Sequence, residues 1–355
     1  MQPTDIFFNG VGRLRSGWRL AVFGGAIFIV VGALSIILAL ILVMTYGQGG
    51  AELFLKGRWG FVIQEVILLI SAIGIGYACQ KLCEDLPPRA LGWTRHPRWL
   101  RDWLVGSLFG AATLIFATLI ATAFGGFKFA LTEAHAFPAV GTTLFLSLLM
   151  FIFAAASEEA LFRGYPLQTL TRAQLIWLGI AITSLCFALV HQGNPNQDAS
   201  WVVRVMAFIN TALAGVWLAV AYLRTRSLWL PLGLHWAWNW MMSAVLGIPV
   251  SGITEITPNP LLHASDLGPA WLTGGAYGIE GGAACTIAIL LSTLIIWRMK
   301  WINATREMMD LTSHEIAKRP EPQPPLRDWQ GYPPGGRGYP PDSNQPPPPW
   351  TKRDG

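Results

Sequence analysis

Apolar residues dominate eight stretches of the chain, at about 20–45, 60–80, 103–125, 143–170, 174–191, 201–223, 228–247 and 283–300. Each is close to the ~20 residues that a helix needs to cross a bilayer. The pattern predicts an all-α, polytopic membrane helical bundle with about eight transmembrane helices. Polar and turn-forming residues collect between these stretches. Pro87-Pro88 breaks the chain after span 2, and Gly and Pro punctuate residues 127–141. The long connection at 248–282 contains no Lys or Arg. Residues 318–355 are mostly Pro, Gly and Gln, with Tyr332-Pro333-Pro334 echoed by Tyr339-Pro340-Pro341. Such a segment buries too little apolar surface to fold alone and is expected to be disordered, partly polyproline II. The chain thus divides into an N-terminal segment 1–19, a transmembrane domain 20–303 and a tail 318–355.

Composition strengthens the membrane reading. Of 355 residues, 53% are hydrophobic and 13% charged, and the mean hydropathy is +0.44. A soluble domain carries about 25% charge. The net charge of +5 is no nucleic-acid signal, because the basic residues mark particular loops. With the N-terminus inside, only Lys56, Arg58, Lys128 and Arg204 of the 25 lysines and arginines fall outside. This fits the positive-inside rule and predicts that both termini are cytoplasmic. The first apolar run is too long for a cleavable signal. Cys79, Cys83, Cys186 and Cys285 are scattered and suggest neither a disulfide framework nor a zinc knuckle.

The chemistry lies where the apolar pattern is interrupted. Span 4 contains Ser157-Glu158-Glu159-Ala160-Leu161-Phe162-Arg163. A charge at the bilayer centre costs about 2.5–3.5 kcal/mol on insertion scales, so three must be paired, hydrated or used. Glu159 and Arg163 are four apart and share a helix face, which suits an ion pair. Glu158 is turned away from that arginine and is presented elsewhere. His191 closes span 5, and His235 and Asn239 share a face of span 7. Each feature alone has a bland reading: a structural ion pair, a capping histidine, an interhelical hydrogen bond. Glu65 and Arg204 are expected near the outer surface, where they snorkel or pair. Together, Glu and His in a low-dielectric cavity supply a general base, and a His/Asn pair suits a developing oxyanion or a metal. HExxH is absent. Loop counting places His191 towards the outer end of its span and His235 towards the inner end of its own. The two meet only if helices tilt or break.

These residues resemble the three motifs of the CPBP family of intramembrane proteases, which includes the type II CAAX prenyl proteases and the bacterial Abi-type proteins. EExxxR matches Glu158 to Arg163, FxxxH matches Phe187 to His191, and HxxxN matches His235 to Asn239. The resemblance covers about 140–246 as the catalytic core and extends more loosely to 247–252 and 274–282. It implies an intramembrane endopeptidase acting on a membrane-embedded peptide or a lipidated protein. Glu158 would activate water with His191, His235 and Asn239 would stabilise the oxyanion, and Glu159 and Arg163 would position the site. If the enzyme uses a metal such as Zn2+, Glu158, His191 and His235 would hold it; a metal-free glutamate mechanism fits the same residues. Glu280, outside the motifs, is read as ordering its loop. The loops resemble those of bacterial members, which suggests a multi-pass protein of a bacterial inner membrane. The lipid bilayer is then its surroundings, and nucleic acid is no partner. Alternatives in other classes are a non-catalytic scaffold, an immunity or peptide-export partner built on the same fold, or a small transporter using the charges as a relay. The tail is expected to act as a spacer; no partner for it can be named.

Overall fold

The computed structural model describes residues 6–10, 12–194, 199–254 and 256–313. The tail 318–355 lies outside the described residues. The chain is a helical membrane protein. Its elements, in order, are α1 (Ser16–Lys56), α2 (Arg58–Glu84), α3 (Trp99–Ala123), β1 (Phe127–Leu131), α4 (Phe137–Glu159) and α5 (Tyr165–Arg172). There follow α6 (Ile176–Val190), α7 (Trp201–Thr225), α8 (Trp229–Trp240), β2 (Leu262–Asp266), α9 (Ala270–Thr273), α10 (Ala283–Arg298) and α11 (Arg306–Thr312).

All eight apolar stretches are helical. Among the described residues, six helical runs, 16–56, 58–84, 99–123, 134–172, 176–193 and 201–225, are long and apolar enough to cross a membrane; α10 is apolar but shorter. α1 continues past the expected end of span 1 and bends at Gly47, whose φ of 70° leaves the helical region. Only four residues of α1 are buried, and Phe28, Ile29, Ile37 and Leu40 point outwards. An apolar helix exposed on most sides is what lipid contact requires.

The opposite case is α8. Every residue from Leu230 to Trp238 is buried, so this helix is sheathed by protein on all sides. Small residues make that possible. A Cβ on Gly106 or Gly110 of α3 would lie 2.2 Å from the carbonyl oxygens of Leu230 or Leu234, and one on Gly233 would lie 2.2 Å from that of Trp103. Absence of side chains lets the two backbones touch. The indoles of Trp236 and Trp240 then donate to the carbonyls of Leu148 and Leu144 on α4, each at 3.0 Å. Those two bonds fix the rotation of α8 about its axis.

Two regions read as loops contain order that the hydrophobic pattern did not reveal. β1 and β2 pair antiparallel, Phe127 opposite Asp266 through Leu131 opposite Leu262. Arg19, counted with the polar N-terminal segment, lies in the first turn of α1 and is fully buried. Its Nη1 is 2.7 Å from Glu84 Oε1, and Glu84 also binds Arg172 and Thr169. Burying two arginines is tolerable because one carboxylate is shared between them.

Candidate active site

The paired carboxylates sit where α4 changes pitch. Glu159 is the last residue of α4, and Ala160–Gly164 forms a π-helical turn before α5. A second π-helical turn, Met241–Val245, follows α8 just beyond Asn239. Such turns insert a residue, which rotates everything after them by about 100° relative to a regular helix. Both therefore re-aim the chain beside the candidate residues.

The sequence-predicted division between the two glutamates holds in the structure. Glu159 and Arg163 are both 0% exposed, and Arg163 Nη1 donates to Glu159 Oε1 at 3.1 Å. Arg163 Nη2 donates to the Gly215 carbonyl at 3.2 Å. Glu158 is 22% exposed and faces a cavity of about 210 Å³. Its Oε2 has no hydrogen-bond partner. The histidines come to it from two other helices: His235 Nε2 lies 3.5 Å away and His191 Nε2 3.9 Å away. Packing thus brings to one cavity two histidines that loop counting set at different depths, one just after the end of α6 and one within the 12-residue α8.

What lies behind each imidazole settles its proton. His191 Nδ1 is 2.8 Å from the Phe187 carbonyl. A carbonyl can only accept, so Nδ1 carries the hydrogen and Nε2 offers its lone pair to the cavity. His235 Nδ1 is 2.9 Å from Glu159 Oε1. Glu159 accepts, so this ring too turns Nε2 towards Glu158. Sequence spacing paired Glu159 with Arg163 alone; its contact with His235 joins residues 76 apart and no local pattern announces it.

Phe187 does more than open a motif. Its ring stands 4.5 Å from the Arg163 guanidinium and 4.5 Å from the His191 ring, and meets His235 edge-on at 5.9 Å. A cation over a desolvated aromatic face gains about 2 kcal/mol, so the phenyl helps to hold a buried arginine. Asn239 lines the same cavity.

Glu65, expected to snorkel or pair, is paired: it lines the cavity and is hydrogen-bonded to Ser157 Oγ. Glu280 also lines the cavity, and its loop-ordering reading is matched by its bonds. Its Oε2 accepts from Ser251 N at 2.7 Å and Ser251 Oγ at 2.8 Å, and its Oε1 from Trp238 Nε1 at 3.0 Å. Asn210 braces the same turn by donating to the carbonyls of Glu280 and Gly282. A buried Asn in span 6 was the available sequence signal for it. Much of the remaining wall is apolar, with Phe61, Phe151, Phe162, Trp217 and Ile289.

The donor chemistry of two Nε2 atoms and a carboxylate is of the kind zinc accepts. Among the described residues, however, no three His, Cys, Asp or Glu side chains are arranged to hold one metal ion. The residues as placed do not fit a resident metal, and no step below is routed through one.

Comparison with known proteins bears on this same segment. Residues 140–241 match the family model described as type II CAAX prenyl endopeptidase Rce1-like. That range contains Glu158, Glu159, Arg163, His191, His235 and Asn239, and it bears out the family resemblance read from the motifs. An Escherichia coli protein described as an uncharacterized 24.3 kDa protein is 30% identical over 135 residues. The aligned part is 38% of this chain and 58% of that protein, so the chain spans less than two thirds of its relative's length. The family match supports, in general terms, a CAAX-type intramembrane endopeptidase. Glu65 and Glu280 lie outside the matched range.

Proposed function

We propose that this protein is an intramembrane endopeptidase that hydrolyses a peptide bond in a membrane-embedded peptide or a lipidated protein of a bacterial inner membrane. One observation carries the reading: Glu158 Oε2, buried and without a hydrogen-bond partner, faces the Nε2 atoms of His235 and His191 at 3.5 and 3.9 Å. A water held among these atoms donates one hydrogen to Glu158 and the other to the bare Nε2 of His191. As it attacks the scissile carbonyl, Glu158 takes its proton.

The negative charge then moves to the carbonyl oxygen. Asn239 on the same helix face and His235 supply hydrogen bonds to it. For His235 to donate through Nε2 while Nδ1–H remains on Glu159, the ring must be an imidazolium. The local charges allow this. Glu158 and Glu159 balance Arg163 and a protonated His235, so the buried group is neutral as a whole. Arg163 fixes Glu159, Glu159 orients His235, and neither needs to touch substrate. The apolar wall suits a hydrophobic peptide or a lipid-modified side chain, and excluding water strengthens these interactions.

The test is a comparison of membrane peptides from cells carrying the wild type or Glu158→Ala at equal levels. A cleavage product present with the wild type and missing with the variant is expected. Identical peptide profiles would remove the proteolytic reading.

A further inference from the structure

Hydrolysis of an amide needs an acid as well as a base, because the departing amine is a poor leaving group until it is protonated. Glu158 and His191 account for removing a proton from water. On the proposed reading, which this inference extends, no residue yet supplies one to the amine. Glu65 is the carboxyl side chain on the cavity wall without an assignment.

Its surroundings reveal its proton. Ser157 Oγ lies 2.7 Å from the Ala154 carbonyl and is also hydrogen-bonded to Glu65 Oε2. A serine hydroxyl has one hydrogen, and a carbonyl only accepts. If Ser157 gives its hydrogen to Ala154, the bond to Glu65 is complete only when the carboxyl donates. An ionised Glu65 would force the two acceptors to compete for a single hydrogen. Charge points the same way. Glu65 and Glu158 line one cavity with largely apolar walls, and two like charges in such a place are not both ionised. The guanidinium of Arg163 gives its Nη1 to Glu159. Glu158, with two histidines facing it, is the one to remain a carboxylate, and Glu65 the one to stay neutral.

We infer that Glu65 holds a proton in the resting protein and is the acid that delivers it to the leaving amine, from the α2 side of the cavity, opposite in role to Glu158. Water adds to the carbonyl carbon and Glu158 takes its proton. The tetrahedral intermediate collapses, the C–N bond breaks, and the nitrogen takes the proton of Glu65. The proton on Glu158 then returns to Glu65, and the sum is peptide plus water to acid plus amine.

The experiment uses the full chain in liposomes and two probes: a peptide with a prenylated cysteine before its scissile amide, and the corresponding ester of an acidic phenol. The phenolate leaves without protonation. Glu65→Gln is therefore expected to lower kcat on the amide by about 10²–10⁴-fold, the usual worth of a general acid, and to change the ester rate less than threefold. Glu158→Gln slows both. Infrared difference spectra of the wild type are expected to show a protonated carboxyl band that Glu65→Gln removes. Equal loss on both probes with no missing band would make Glu65 a structural residue and overturn the inference. Should Glu65→Gln not fold, Glu65→Leu, which also lacks the proton, gives the same ratio test, and an unchanged amide-to-ester ratio overturns it. A wild-type protein that cleaves neither probe overturns the functional reading and the acid role with it; the infrared band then still decides whether Glu65 carries the proton.

Discussion

His235 Nδ1 and Arg163 Nη1 converge on the same atom, Glu159 Oε1, at 2.9 and 3.1 Å. One fully buried carboxylate thus holds the arginine of the first motif and orients the histidine of the third. Breaking a buried pair by removing one partner costs about 3–5 kcal/mol, whereas replacing both with apolar groups is often neutral. Glu159→Leu should therefore lower thermal stability in detergent sharply. The double variant Glu159→Leu/Arg163→Met should recover most of that stability but not cleavage, because His235 still lacks its partner. Thermal unfolding followed by size-exclusion recovery, with cleavage measured in parallel, separates the two effects.

The contact between α3 and α8 sets the position of His235. Gly110→Ala would place a methyl group 2.2 Å from the Leu234 carbonyl oxygen, so the helices must separate. Overpacking of this kind costs about 1–3 kcal/mol, and the shift should also reduce cleavage. Gly24→Ala on α1, with nothing within 4 Å of its Cβ, is the matched control and should change neither.

Because the reaction is assigned to Glu158 without a metal, dialysis against a strong chelator should leave the rate of cleavage unchanged. A loss that added Zn2+ reverses would show that Glu158, His191 and His235 rearrange to bind it.

A pH effect on stability should come from His96, in the connection before α3. Its ring is buried; Nδ1 accepts from the Arg98 N–H at 3.3 Å and Nε2 lies 3.1 Å from Ser227 Oγ. Burial, assisted by the nearby Arg98 charge and opposed by Glu307, pushes its pKa below the usual value. The folded state then binds this proton less readily than the unfolded state. Its contribution is complete above the unfolded pKa of about 6.5 and is lost as pH falls towards the folded value. The His96 share of stability should therefore shrink between pH 7.5 and 5: His96→Gln should lower the unfolding midpoint at neutral pH, and its difference from the wild type should narrow towards pH 5.

Much of the site was legible because it is local. A four-residue spacing is enough to pair Glu159 with Arg163 and to put His235 and Asn239 on one face. Gly106 and Gly110, one helical turn apart in α3, are small residues of the kind that lets helices pack closely. The unreadable parts are contacts between distant segments. Glu65 meets Ser157 across 92 residues, and hydrophobic periodicity fixes a residue's face on its helix but not the neighbour beyond it. Loop counting set His191 and His235 at different depths, and only the packing of the helices shows that both rings reach Glu158. The β1–β2 pair was hidden by brief strands more than 120 residues apart. Arg19 was counted with the polar N-terminal segment because its partner, Glu84, lies on another helix.

Glu158 is the proton acceptor for the attacking water in the proposed mechanism, and Glu158→Gln removes that acceptor. The substitution keeps the side chain's shape and leaves Glu159, Arg163 and both histidines in place. Cleavage of a prenylated peptide by the purified, reconstituted protein should fall by at least about 100-fold, with an unfolding midpoint close to that of the wild type. A Glu158→Gln protein that cuts the same bond at the wild-type rate would contradict the account.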